Sequence, residues 1–81
     1  MKKKLPKVIV RDLPGDICGL ACKADNTIEI DPKISSDLSI LEVYVHEALH
    51  LADWRLSERK VTFRARYIAE VLWAQGYRKI K

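Results

Sequence analysis

The chain has 81 residues, enough for one small domain whose core is only marginally stabilising. Hydrophobic residues make up 48% of it and charged residues 32%, a globular composition, and no apolar run approaches the roughly 20 residues that a membrane span needs. The net charge of +4 reflects basic residues at both ends of the chain, not a basic face with aromatic readers, which argues against a role in nucleic-acid binding.

The first residues of the chain indicate whether the protein carries an export signal. Met1-Lys2-Lys3-Lys4 looks like the basic start of a signal peptide, but Pro6 and Lys7 follow it where an apolar stretch would be required. We therefore expect no export signal and a cytoplasmic protein. We also expect residues 1–6 to be frayed and residues 1–81 to form a single domain.

Three short segments have the residue pattern of β-strands. Residues 7–11 contain three consecutive β-branched residues, and a second strand is expected over residues 17–23. The turn residues 24–26 precede residues 27–31, where two isoleucines alternate with polar side chains. The pattern predicts that the second and third strands form a hairpin and that all three strands form a small sheet.

The two cysteines, Cys18 and Cys22, are predicted to be free thiols. Within one strand they lie four residues apart on the same face, about 13 Å between Cα atoms, which exceeds the roughly 7 Å limit for a disulfide. We expect them to flank Leu20 as core residues. A second zinc site at these cysteines would lack ligands, because the chain offers no further cysteine or histidine to complete it.

A first helix is predicted over residues 40–54. Ser39 followed by Glu42 matches the S-x-x-E capping box that begins many helices. Apolar residues go nearly all the way round this helix, so we expect it to be central and buried.

A second helix is predicted over residues 58–75. Ser57 is its candidate N-cap and Gly76 a natural residue to follow its end, and we expect Trp73 and Tyr77 to close the core nearby. Its apolar stripe is Val61, Ala65, Ile68, Ala69 and Leu72. The fold class is therefore α+β: a small sheet of about three strands, then a buried helix, then a second packing helix.

The first helix carries the pattern His46-Glu47-x-x-His50. Positions i and i+4 lie one turn apart on the same helix face, so both imidazoles can converge on one zinc ion. Glu47 is rotated about 100° from His46 and can act as general base toward a water. The alternative to zinc binding is that the two histidines form only ordinary hydrogen bonds within the protein. The apolar surroundings favour zinc, since an unpaired buried polar group costs about 1–3 kcal/mol.

Three carboxylates compete to be the third zinc ligand. Asp53 lies about 20° from His46 on the same helix, but its short side chain suits a hydrogen bond to a ligand better than a place on the metal. Glu70 points about 120° away from Glu58 and should be solvated. Glu58 lies on the apolar stripe, where a carboxylate needs a cation, although the helix dipole would also favour an acidic residue there. The residues alone leave Glu58 and Asp53 both open.

This chain resembles the zincin metallopeptidases in their gluzincin-like minimal forms: the minigluzincins, the ImmA/IrrE-like peptidases and short His-Glu-x-x-His proteins of phage and prophage. The resemblance covers about residues 27–77. Its specific part is Tyr44-Val45-His46-Glu47-Ala48-Leu49-His50-Leu51-Ala52-Asp53-Trp54. In such proteins a glutamate from the helix after the motif completes the site, which implies Glu58 as the third ligand.

The resemblance implies a zinc-dependent peptidase acting on a peptide or protein substrate, with His46, His50 and Glu58 as metal ligands and Glu47 as catalytic base. By analogy it assigns the substrate-binding edge strand to part of residues 27–31. The chain departs from full-size gluzincins because it lacks their larger second subdomain.

A different class of function is a zincin-shaped module that binds zinc without turnover and has a binding or regulatory role. A chain this short has little surface around a metal with which to hold a peptide. A second copy of the chain or a partner protein could then complete the site. Turnover that depends on Glu47 distinguishes the peptidase from this module.

Overall fold

The computed structural model describes residues 4–34 and 36–79, which form five elements. They are β1 (Lys7–Val10), β2 (Gly19–Cys22), β3 (Thr27–Ile30), α1 (Asp37–Ala52) and α2 (Glu58–Ala74). The predicted α+β fold, with three strands followed by two helices, is confirmed. Neither of the two helices in the described part of the chain is long and apolar enough to cross a membrane.

The sheet has the strand order β1-β3-β2, with β3 in the centre. The predicted hairpin is confirmed, because β2 pairs antiparallel with β3, while β1 pairs parallel with the other side of β3. The expectation of an edge strand within residues 27–31 is therefore wrong. The Asn26 backbone carbonyl accepts a hydrogen bond from the Lys7 N–H at 3.1 Å, which joins the start of β1 to the turn before β3.

The N-terminal segment before β1 is also attached to this turn. The Asn26 side-chain amide donates to the carbonyls of Lys4 and Leu5 at 3.2 and 3.4 Å. The carbonyls of Lys4 and Leu5 thus have hydrogen-bond partners in the turn, and the fraying of residues 1–6 stays a prediction. Residues 1–3 of the segment predicted to fray lie outside the described residues.

The elements form three layers, with α1 between the sheet and α2. Among the described residues, α1 packs on β2 and β3, whereas α2 packs on α1 and not on the sheet. Ile28 and Ile30 of β3 are each 3% exposed on the core side of the sheet. The core face of α2 consists of Val61, Ala65 and Ala69, all fully buried.

Helix α1 is central, as predicted, but it is not buried on all sides. Its sides away from the sheet and α2 are partly open to solvent: Ala48 is exposed, and Glu47 is its only buried residue among those described. The reason is the size of the protein: two neighbouring layers cover two faces of a helix and leave the others uncovered. Ile68 of the predicted α2 stripe is likewise exposed.

Helix α1 begins one turn earlier than predicted. Ser36, not Ser39, is the N-cap: its hydroxyl accepts a hydrogen bond from the Ser39 N–H at 3.1 Å. Asp37 lies in the first turn, where the helix dipole favours a carboxylate. Glu42, which the predicted capping box required, instead has its carboxylate 3.7 Å from Nε of Arg66.

The cap predicts a difference between two neighbouring serines. Ser36→Ala should lower the free energy of unfolding by about 1 kcal/mol, because the Ser39 N–H loses its acceptor. Ser39→Ala should change it much less, because that hydroxyl accepts a hydrogen bond from the capping hydroxyl, at 2.8 Å, and caps no backbone N–H among the described residues. Urea denaturation of the two variants measures both values. A larger loss in Ser39→Ala would place the cap where the capping-box pattern expected it.

Helix α2 has the predicted caps. The Ser57 hydroxyl accepts from the Lys60 N–H at 3.2 Å. At the other end, Gly76 has φ +86°, and the Gly76 and Tyr77 N–H groups donate back to the carbonyls of Trp73 and Leu72 at 3.0 and 3.1 Å. The Tyr77 side chain that follows is exposed, so the prediction that it closes the core is wrong. Tyr77 is 65% exposed.

Cys18 and Cys22 are free thiols, as predicted, but they do not flank a core residue. Leu20 pairs with Glu29 on the sheet face away from α1, and Leu20 and Cys18 are exposed. The core face of β2 carries Gly19 and Ala21, which are small enough to lie close beneath α1. The strand pattern therefore placed the larger side chains on the wrong face.

Asp31 connects the loops around the end of β3. The sequence pattern did not reveal this role, because it placed Asp31 among the polar residues that alternate with the isoleucines. It is 1% exposed. Its carboxylate accepts hydrogen bonds from the N–H groups of Leu13 and Lys33 at 2.6 and 2.8 Å, and it lies 3.2 Å from the Lys33 ammonium. These backbone hydrogen bonds and the Lys33 charge outweigh burial and lower the pKa of the Asp31 carboxyl.

Asp31→Ala should therefore lower the melting temperature clearly at neutral pH. A carboxyl whose pKa is lower in the folded than in the unfolded protein stabilises above the unfolded value of about 4, and this contribution disappears as the pH falls through the folded value. The difference from wild type should shrink below about pH 4. Thermal denaturation between neutral and acidic pH tests this, with the exposed Asp12→Ala as control; equal effects of the two substitutions would contradict it.

Candidate metal centre

The two histidines lie on one face of the C-terminal half of α1. His46 and His50 are one turn apart, and their ring centroids are 5.0 Å from each other at an interplanar angle of 63°. Both rings are partly buried, with 18% and 21% of the side chains exposed. The rotation of the helix alone thus places two imidazoles at one point of the surface.

The chain reversal between the helices brings a carboxylate to the same point. The Asp53 N–H donates to the Leu49 carbonyl at 2.9 Å and ends α1, and Ser57 then caps α2. Glu58, the first residue of α2, therefore faces the histidine pair. Its carboxylate oxygens lie 2.7 Å from His50 Nε2 and 3.2 Å from His46 Nε2.

These three side chains have the geometry of a metal-binding group. One ligand atom from each of His46, His50 and Glu58 lies within 4.8 Å of the others. Two imidazole nitrogens and one carboxylate oxygen are the donor set of many hydrolytic zinc sites, in which a fourth position stays open for water or substrate. The residues present therefore fit a divalent metal ion of the zinc type.

Electrostatics around Glu58 favour its ionised form. Partial burial raises the pKa of this carboxyl, but hydrogen bonds from His50 and His46 and the electrostatic attraction of these residues lower it by more. With 70% of its side chain exposed, Glu58 also leaves the site open to solvent. An ionised, accessible carboxylate is the form that a metal ion requires.

Glu47 lies beside this group, on the side of α1 that faces β2. It is 8% exposed. Burial raises the pKa of its carboxyl; the nearby His46 and His50 lower it in part, and the charge of Glu58 raises it again. Glu47 is thus a buried carboxylate with an increased tendency to hold a proton, one residue from a candidate metal ligand.

A glycine makes room for the Glu47 side chain. A Cβ atom at Gly19 of β2 would lie 2.6 Å from Val43 Cγ1 and 3.0 Å from Glu47 Oε2. The first distance is too short for a methyl group and the second is tight, so a side chain at this position would force Val43 and Glu47 to shift. This role was not predicted from the sequence. The sequence nevertheless contained a signal for it, since a glycine within a predicted strand often marks a close approach of another element.

The other two carboxylates considered as ligands lie elsewhere. The Asp53 carboxylate accepts from the N–H and Nε of Arg55, both at 3.2 Å, and these hydrogen bonds lower its pKa. Glu70 is exposed on α2 and is not part of the group of ligand atoms. Of the three candidates, the structure brings Glu58 alone to the histidine pair.

Comparisons with protein-family models, with curated proteins and with solved structures find no match.

Proposed function

We propose that the protein is a zinc-dependent peptidase in which His46, His50 and Glu58 bind the metal and Glu47 is the general base. The observation that carries this proposal is the convergence of three ligand atoms within 4.8 Å, next to a buried carboxylate. Two of the ligands come from one helix and the third from the next, so the group forms only in the folded chain.

The residues divide the chemistry between them. Zinc, when bound, supplies Lewis acidity: it lowers the pKa of water toward about 7 and polarises a carbonyl oxygen. Glu47 takes the proton from the attacking water and later delivers it to the leaving amine.

A peptide is the substrate class that the neighbouring strand supports. Within the described sheet β2 pairs only with β3, so its other edge is free. Gly19 in β2 lies against Glu47, which puts this edge strand next to the base. An extended peptide can add to such an edge by main-chain hydrogen bonds. We assign substrate binding to β2 in place of residues 27–31.

The direct test is an assay of zinc-loaded protein with casein and with mixed peptides. We expect cleavage that a chelator abolishes and that added zinc restores. Bound zinc without any turnover would contradict the peptidase proposal and would favour a zinc-binding module with a regulatory role.

A further inference from the structure

One side of the sheet has an apolar surface that no described element covers. In the parallel register, Val8 lies beside Ile28 and Val10 beside Ile30, so the valines face the same side as the two core isoleucines. The isoleucines are buried beneath α1, but Val8 is 41% and Val10 58% exposed. Neither helix packs on β1 among the described residues, which explains the difference.

This surface continues into a cleft of about 600 Å³ between the end of the sheet, the N-terminal half of α1 and the end of α2. The cleft has mostly apolar walls. We call Val8 together with the cleft residues Val10, Leu41, Tyr44, Trp73 and Tyr77 the β1 shelf. Its length along β1 is about 13 Å for four residues, comparable with two to three turns of a helix.

The rim of the β1 shelf is mainly cationic. Lys7 is exposed next to Val8, and Arg78 and Lys79 border the cleft. Arg78 is held in place: its guanidinium stacks 3.3 Å from the Trp73 ring centroid and donates to the Trp73 carbonyl at 2.8 Å. Of the acidic residues at the cleft, Asp31 is already engaged by Lys33 and backbone N–H groups. Asp37 is the other.

We propose that the β1 shelf binds an amphipathic helix of a partner protein, whose apolar face covers Val10, Trp73 and Tyr77 and whose acidic flanks meet Lys7, Arg78 and Lys79. The apolar floor accounts for the affinity, and the cationic rim selects acidic partners. A second copy of the chain is a poorer occupant, because two cationic rims would face each other. The proposal is independent of the metal site.

The test uses three labelled peptides of about 14 residues, roughly 21 Å long as helices. All share one leucine face, and their flanks carry glutamate, glutamine or lysine. Fluorescence anisotropy with the full chain should show the glutamate peptide binding at least about tenfold more tightly than the lysine peptide, with a preference that weakens in high salt.

Three substitutions locate the binding surface. Val10→Asp puts a carboxylate on the shelf and should weaken binding of the glutamate peptide about tenfold. Phe63→Asp is the matched control, because Phe63 is a similarly apolar side chain, 73% exposed on α2 and outside the shelf, and should have no effect. Lys79→Glu, at an exposed position, should reduce the preference for glutamate flanks even if Val10→Asp does not fold.

Three results would overturn the proposal. Equal affinity for the glutamate and lysine peptides would show that the cationic rim does not select acidic partners. An equal loss of binding in Phe63→Asp and Val10→Asp would mean that the shelf is not the surface involved. A concentration-dependent dimer in sedimentation experiments, dissociated by Val10→Asp, would identify a second copy of the chain as the occupant.

Discussion

Glu47→Gln should reduce the proposed peptidase rate by about 10²–10⁴-fold, the usual contribution of a general base, without loss of the metal. The amide has nearly the same shape as the carboxylate, but it cannot accept the proton of the attacking water. The ligand atoms of His46, His50 and Glu58 are unchanged, so zinc content should stay at that of the wild type. Steady-state rates and metal analysis of the same samples measure both quantities.

Glu47→Gln should also change the stability of the metal-free protein, which can be measured without any activity assay. Burial raises the pKa of the Glu47 carboxyl, so the unfolded chain loses this proton at lower pH than the folded one. The free energy of unfolding then falls as the pH rises from the unfolded pKa through the folded pKa. The amide that replaces the carboxyl cannot ionise. In the presence of a chelator at neutral pH, Glu47→Gln should melt no lower than the wild type.

Glu70→Gln is the matched control for this experiment, because Glu70 is an exposed carboxylate on α2, away from the ligand atoms. It should leave rate and zinc content unchanged. Full activity in a folded Glu47→Gln protein would show that another group takes the proton. Activity that persists in metal-free protein would remove zinc from the reaction.

Zinc binding at one ion per chain should depend on the three clustered side chains. We expect His46→Ala and His50→Ala to lose measurable zinc. Glu58→Gln should weaken zinc binding by at least about 100-fold. Removing a residue that only hydrogen-bonds to a ligand already lowers metal affinity by up to about 100-fold, and removing a ligand should cost at least as much. Zinc at about 100 times its dissociation constant should add roughly 2.7 kcal/mol to the wild-type free energy of unfolding, and none in the histidine variants.

Two carboxylate variants are controls for the ligand set. Asp53→Asn should bind zinc nearly as tightly as wild type, because Asp53 is engaged by Arg55, and Glu70→Gln should be unaffected. Calorimetric titration of metal-free proteins gives the affinities. If Asp53→Asn loses zinc while Glu58→Gln keeps it, the site is confined to α1 and its end. If wild-type protein purified without chelators and supplied with zinc binds none, the metal centre does not exist.

Much of this protein follows from local sequence. The hairpin between β2 and β3, the caps of α2 at Ser57 and Gly76, and the placement of His46 and His50 on one helix face all depend on residues close together in the chain. The side-chain period of strands and helices determines such features almost by itself. The pair of histidines and the neighbouring Glu47 could therefore be predicted as a candidate site.

The tertiary structure decided what depends on distant residues. It made β3 the central strand, because β1 pairs with it, so the edge strand of the described sheet that lies next to Glu47 is β2 and not residues 27–31. Strand periodicity does not determine which strands are neighbours.

The choice of the third side chain at the histidine pair was likewise non-local. Asp53 and Glu58 are both close in sequence to the motif, and helix geometry alone left either one open. The turn between the helices folds α2 back along α1, which carries Glu58 to the histidines, while Asp53 forms hydrogen bonds with Arg55. Gly19 and Asp31 have roles that appear only where two segments meet, since each depends on contacts with atoms far away in the chain.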